Sequence, residues 1–210
     1  MFKKITQKLF ELSQNESKSL AVIFCFTILA YSNIFQNQFI LDDFDYIVDW
    51  PLIQDWKNFP TFFLGYIPPP GQEGIYSPLK TFFHALNYHL FGLNPSGYHI
   101  VSILIHGLGI LCVYKISALL TNNQRLAFVA SLIFGLHPVQ VEAITYMTAS
   151  VDMIGIVFLF ASFFYFIKSV NAKTFSNTGY SVSIMLAVAA IFTHELAISL
   201  PVFLENKSSR

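Results

Sequence analysis

Phe39-Ile40-Leu41-Asp42-Asp43-Phe44-Asp45-Tyr46 opens a long polar loop directly after the first hydrophobic segment of the chain. A charge near the core of a bilayer costs roughly 2.5–3.5 kcal/mol on the insertion scale, so acids at the mouth of a span invite two readings. They face a water-filled cavity and mark a functional site, or they solvate the loop and keep it from crossing back. Where the other acids fall decides between the two.

The chain is 54% hydrophobic, 17% aromatic and only 11% charged, with a mean hydropathy of +0.56. Such values exclude an ordinary soluble domain. They indicate an all-α, polytopic integral membrane protein: one membrane domain over 1–210, with about five or six transmembrane helices, some of them short, and one large extracytoplasmic loop carrying interfacial helices. Net charge is zero, which points to no nucleic-acid partner. Cys25 and Cys112 lie in apolar runs and read as small hydrophobes.

Residues 1–19 carry Lys3, Lys4, Lys8 and Lys18, with Phe2, Ile5, Leu9 and Leu12 at helical spacing. A cytoplasmic amphipathic segment fits both facts and places the amino terminus inside. Leu20 to Phe35 follows as a short first span, with a cleaved signal peptide as the rival reading through Ala30 and Ser32. Residues 36–97 form the first extracytoplasmic loop, because its acids outnumber Lys57 and Lys80 and an excess of Lys and Arg marks the cytoplasmic side. Trp50, Trp56, Phe59, Phe62, Phe63 and Tyr66 suit short helices at the membrane interface. Pro68-Pro69-Pro70-Gly71 breaks the loop. After it, Ser77, Pro78 and Gly92 bracket a helix with Leu79, Phe82, Phe83, Leu86 and Leu90 on one face. Lys80, His84 and Asn87 form a polar stripe on another, suited to an anionic headgroup or simply to solvent.

Residues 98–204 read as a helical bundle. Tyr98 to Leu120 is the second span, and His106 within it reads as packed against a neighbouring helix. Leu126 to Leu136 runs into His137-Pro138 and either ends there or continues past the proline kink to about Met147. Val151 to Ile167 returns to Lys168 and Lys173. Tyr180 to Phe203 is interrupted by His194-Glu195. It reads as one crossing, or preferably as two short helices meeting near the outer face. Asp42, Asp43, Glu142, Asp152 and Glu195 then converge on the outer leaflet, and a single polar cavity is the economical inference.

Two metal motifs fail. His194-Glu195-Leu196-Ala197-Ile198 has Ile where a zinc-binding HExxH needs its second His. Asp43-Phe44-Asp45 has the acid-x-acid form of a metal holder, but no alternation of strands and helices surrounds it. No cofactor is expected, and a divalent metal is an alternative that nothing else in the chain supports.

Several segments together carry a resemblance: Leu41-Asp42-Asp43, Tyr76-Ser77-Pro78-Leu79, Ala85-Leu86-Asn87-Tyr88, Leu90-Phe91-Gly92-Leu93-Asn94-Pro95, Gly97-Tyr98-His99, His137-Pro138-Val139-Gln140-Val141-Glu142-Ala143, Asp152 and Glu195. The chain resembles the GT-C superfamily of polytopic glycosyltransferases, and within it the transmembrane O-mannosyltransferase-like proteins that carry TPR repeats. The resemblance implies a membrane-embedded transferase with a polyprenyl-phosphate sugar as donor, a protein as acceptor, and an acid of the first-loop pair as base. Asp42 is then the base, with Asp43 orienting it or contacting the acceptor. An inverting transfer also needs cations or amide dipoles opposite the leaving phosphate. Lys80, His84, His137, Glu142, Asp152, His194 and Glu195 are the candidates for donor binding or cavity lining.

Cations expected from the resemblance are replaced at Ser77, Ser150 and His194, and no TPR pattern is present. The expectation is therefore an amino-terminal catalytic module, completed by further spans or by a second polypeptide. The rival is a non-catalytic subunit or remnant that binds a lipid headgroup or a partner membrane protein.

Overall fold

The computed structural model of the protein describes residues 13–65, 68–69, 76–172 and 175–194, and contains no strand among them. Its long helices are α1 (Glu16–Ala30), α2 (Pro78–Phe91), α3 (Pro95–Thr121), α4 (Gln124–Leu136), α5 (Met147–Val170) and α6 (Asn177–Thr193). Four of these helices start at short polar side chains that accept the first free amides, whereas Ser77 heads α2 without a side-chain capping bond. Asn15 accepts from the Lys18 amide, Asn94 from Ser96, Ser176 from Gly179, and Asn123 from both Arg125 and Leu126. Asn122 ends α3 in the left-handed region at φ 50°, which asparagine tolerates better than most residues. Gly92 closes α2 at φ 57°, where a Cβ would be strained.

At about 1.5 Å per residue, α3 and α5 rise about 40 and 36 Å, enough to cross a hydrocarbon core of about 30 Å. Among the described residues these two are long and apolar enough to span, and α4 with the turns after it makes a third if the bent pair is one crossing. That pair is bent by 50°. The cause is Pro138, which lacks an amide proton and holds His137 extended at ψ 131°, so both sequence readings of this region describe one broken segment. Helices α1 and α6, of 15 and 17 residues, are the shorter apolar elements. α6 ends at Thr193 and His194 is extended at φ −151°, so the apolar stretch from Tyr180 does not pass through His194 as one straight helix.

The helices alternate in direction. Glu16 at the head of α1 pairs with Lys115 near the end of α3 at 2.5 Å, and the Asn122 turn sits at that same end. The loop after α1, the His137 turn, the head of α5 and the end of α6 lie at the other. Packing is apolar in the middle: Ile23, Ile110, Tyr114, Ala127 and Phe128 join α1, α3 and α4, while Ile105, Val151 and Ile154 join α3 to α5. His106 is packed as expected, with Nε2 3.1 Å from the Gly135 carbonyl and its ring stacked on Phe134. The most extensive contact, α5 with α6, is polar at its centre. The Ser162 hydroxyl donates to the Ser183 carbonyl at 2.8 Å and Ser183 returns a bond to the Ser162 carbonyl at 2.9 Å.

One expectation is reversed. The stripe of α2 expected to face headgroups or water is turned inward: His84 and Asn87 are buried, whereas Leu90 from the apolar face is exposed. The loop from Phe44 to Phe62 folds over that side of α2, burying Trp50, Ile53 and Phe62 around Ala85.

Candidate functional site

Helix α5 begins without a local cap, since Tyr146 at its N-cap position makes no capping bond. The missing acceptor comes from a residue 105 positions earlier in the chain. Asp43 Oδ1 accepts the Thr148 amide at 2.9 Å and the Thr148 hydroxyl at 2.8 Å, while Oδ2 accepts the Ile40 amide at 3.1 Å. Asp43 is fully buried. Burial pushes its carboxyl above the usual range, and the bonds from Thr148 and Ile40 hold it partly back. Both carboxylate oxygens of Asp43 are thus buried and engaged with the chain's own amides and the Thr148 hydroxyl.

Asp42 is the opposite case. Its carboxylate is exposed, and the backbone leading into it is tight, with Leu41 at φ 47°. A non-glycine residue in the left-handed region costs roughly 1–2 kcal/mol and persists only where neighbours over-determine it. Here Asp43 anchors one side, and the Asp42 amide donates to the Tyr146 hydroxyl at 3.0 Å on the other. Tyr146 is also hydrogen-bonded to the Asp42 side chain. Burial first, then that negative neighbour, pushes the phenol upward and keeps it protonated.

One turn along α5, Asp152 meets Lys80 of α2 at 2.7 Å, both side chains being about a fifth to a quarter exposed. Lys80 Nζ also sits 5.2 Å from the centre of the Tyr46 ring, a cation–π distance. The first turns of α5 are thus a platform on which three loop-side residues dock, Asp42 through Tyr146, Asp43 through Thr148 and Lys80 through Asp152.

The other candidates separate. His84 touches Tyr46 but is buried with both ring nitrogens unpartnered, and burial together with the Lys80 charge lowers it to about 3. It is neutral near pH 7, so the cationic, cavity-lining role expected of it does not hold. His137 is exposed and its Nδ1 accepts the Val139 amide, which turns the chain locally. Glu142 is exposed on the next short turn. His194 lies beside Gly155, where an added Cβ would come within 3.0 Å of the His194 Cβ, so the end of α6 closes on α5 one turn past Asp152. Glu195 lies outside the described residues. No group of three metal-ligating side chains occurs among the described residues.

Sequence reading missed Tyr146 and Thr148. No local signal marked them, because tyrosine is a poor N-cap and the acceptor for the start of this helix lies elsewhere in the chain.

The fold and this platform define a class: an all-α polytopic membrane protein with Asp42, Asp43, Glu142 and Asp152 at one end of the bundle. The sequence pattern of the dolichyl-phosphate-mannose-protein mannosyltransferase family matches residues 76–204, well over half of the chain, and the protein belongs to that family. It is similar to a protein O-mannosyl-transferase of Caenorhabditis elegans, 28% identical over 74% of this chain and 24% of that one. Human protein O-mannosyl-transferase TMTC1 is 28% identical over 68% of this chain and 17% of its own length. Mouse TMTC4 is 26% identical over 81% and 26%. The chain thus spans about a quarter or less of the relatives it matches. No solved structure matches it.

Proposed function

We propose that this chain is the amino-terminal catalytic module of a glycosyltransferase that moves a sugar from a polyprenyl-phosphate donor to a protein hydroxyl at the outer face of the membrane. The observation that carries the reading is the division of labour in the acidic pair. Asp43 is consumed as the cap of α5, and Asp42 beside it keeps an exposed carboxylate aimed by Tyr146. A general base needs this combination of access and fixed direction. Lys80 is the cation near the site that suits a leaving phosphate, and Asp152 holds it in place until one binds. Further spans or a second polypeptide complete the enzyme in this reading.

The test is made in a full-length relative carrying residues 13–194 of this module. A positioned base contributes typically about a hundred- to ten-thousand-fold in rate, so Asp42→Asn should remove most turnover and leave donor binding intact. Full activity of that variant overturns the assignment, and an equal loss in the control Asp55→Asn points to general damage to the loop.

A second reading has its own support: Lys80 is already paired, and Ser77 and Ser150 stand where the resemblance places cations. In it the chain is a non-catalytic subunit that binds a headgroup or a partner. Lipid-phosphosugar binding to the protein in nanodiscs separates the two, because a donor-site module binds the phosphosugar in preference to the bare lipid phosphate.

A further inference from the structure

Helix α1 packs chiefly on α4 and only lightly on α3, which leaves a crevice between α1 and α3. Leu20, Ala21 and Phe24 wall it on one side and Leu104, Leu108 and Leu111 on the other, around an apolar space of about 610 Å³. It opens outward, since Leu104 and Leu108 are exposed. One turn beyond Leu111 stands Lys115, and one turn before Leu20 stands Glu16; the two pair across the head of the crevice. Past that pair, Ala118 leads into a polar space of about 560 Å³ lined by Gln14, Asn122, Asn123 and Arg125. We infer that crevice and polar space together hold one anionic glycerophospholipid, with an acyl chain between α1 and α3 and its phosphate at Lys115 and Arg125.

The order of chemistry along the crevice selects this occupant. Read along α3 it is apolar, then charged, then polar, which is the order of a phospholipid from tail to headgroup. Its depth agrees: from Leu104 to Lys115 the helix rises about 16 Å, one leaflet's half of a hydrocarbon core of about 30 Å. A second copy's apolar helix would fit the lower part but would bury the Lys115 and Glu16 pair, a costly step for charges. Charge agrees as well, because Lys115 and Arg125 against Glu16 leave a single positive charge, which one phosphodiester neutralises. Recognition comes from these side chains rather than from the head of α4, since Asn123 already accepts the Arg125 and Leu126 amides. By the positive-inside rule this end of the bundle faces the cytoplasmic leaflet, where anionic lipids concentrate. The site lies at the end of α3 opposite the platform of Asp42 and Lys80, and stands whether or not Asp42 is a base.

The probes are dioleoyl phosphatidylglycerol and dioleoyl phosphatidylcholine, which share their acyl chains and differ in net charge. Each is added to the delipidated full chain in detergent, and bound molecules are counted by native mass spectrometry. One phosphatidylglycerol should bind ahead of all others and about tenfold more tightly than phosphatidylcholine, with no preference at later sites. Lys115→Gln and Arg125→Gln should each weaken that first step about fivefold. Arg125 is exposed, so its variant keeps the test sound if the loss of the Lys115 pair disturbs α1. Ala21 lines the crevice from an exposed position, so Ala21→Phe fills the space without entering the core and should abolish the first step for both lipids. Equal binding of the two lipids in the native chain means an unselected lipid shell and overturns the site. A preference that survives Ala21→Phe puts the lipid elsewhere on the surface and overturns it too. So does a lipid-free dimer that Ala21→Phe disperses, because the crevice then belongs to a second copy.

Discussion

Adjacent aspartates in the first loop do unlike things, and the difference is measurable without an activity assay. Asp43→Ala leaves the Thr148 amide and hydroxyl without their buried acceptor and removes the cap of α5, a change that costs about 1–3 kcal/mol. Asp42→Ala removes an exposed carboxylate and should change stability by less than about 0.5 kcal/mol. Reversible unfolding in mixed micelles compares the two, and equal losses would refute the separation of roles. His84 supplies a pH signature. Its ring titrates at about 3 when folded, whereas an unfolded histidine titrates near 6.5. The unfolded chain therefore binds the proton first. The contribution of His84 is fully present above about pH 6.5 and is lost progressively as pH falls toward 3. His84→Phe should unfold with a shallower pH dependence over that window than the native protein, and an unchanged slope would remove His84 as its source.

Among the elements, the α5–α6 seam carries the clearest prediction. Hydrogen bonds between membrane helices contribute roughly 0.6 kcal/mol on average and up to about 1.7. Ser162→Ala and Ser183→Ala should each destabilise by that order. Because the two hydroxyls also meet each other at 3.2 Å, a contact that either substitution removes, the double variant should lose less than the sum. No loss in either single variant would mean that the seam is held by apolar packing alone. The cap of α5 shows the limit of reading elements locally. Asn15, Asn94, Asn123 and Ser176 cap their helices from within a few residues, but the sequence reading began those helices inside the capped turns, at Leu20, Tyr98, Leu126 and Tyr180. For α5 the sequence reading began at Val151, after the uncapped turn at Met147, because the acceptor belongs to another part of the chain.

For the whole molecule, the alternation of α3, α4, α5 and α6 gathers Asp42, Asp43, Glu142 and Asp152 at one end, with Lys115, Arg125 and Lys168 at the other. By the positive-inside rule the loop end should lie outside and the Asn122 turn in the cytoplasm. Reporters inserted at Gly71 and at Asn123 should therefore give opposite signals, external at the first and internal at the second. Signals on one side for both would contradict the antiparallel course of α3 itself, and a simple exchange would reverse the orientation while leaving the fold intact.

Composition and periodicity alone determined the class of this protein. A chain this apolar must satisfy its backbone inside helices when it enters a bilayer, and the runs that do so are visible as runs. The same local physics marked the proline break after His137, the helix bracketed by Ser77 and Gly92, and the concentration of acids beyond the spans. What only the tertiary structure decided is which polar groups remain available. Asp42 and Asp43 are neighbours of one residue type, and Lys80 and His84 share a turn of one helix, so no local rule tells them apart. Their fates differ because burial and hydrogen bonding are set by what packs opposite. Thr148 claims Asp43, Asp152 claims Lys80, and the loop over α2 seals His84 in a site too dry to charge it.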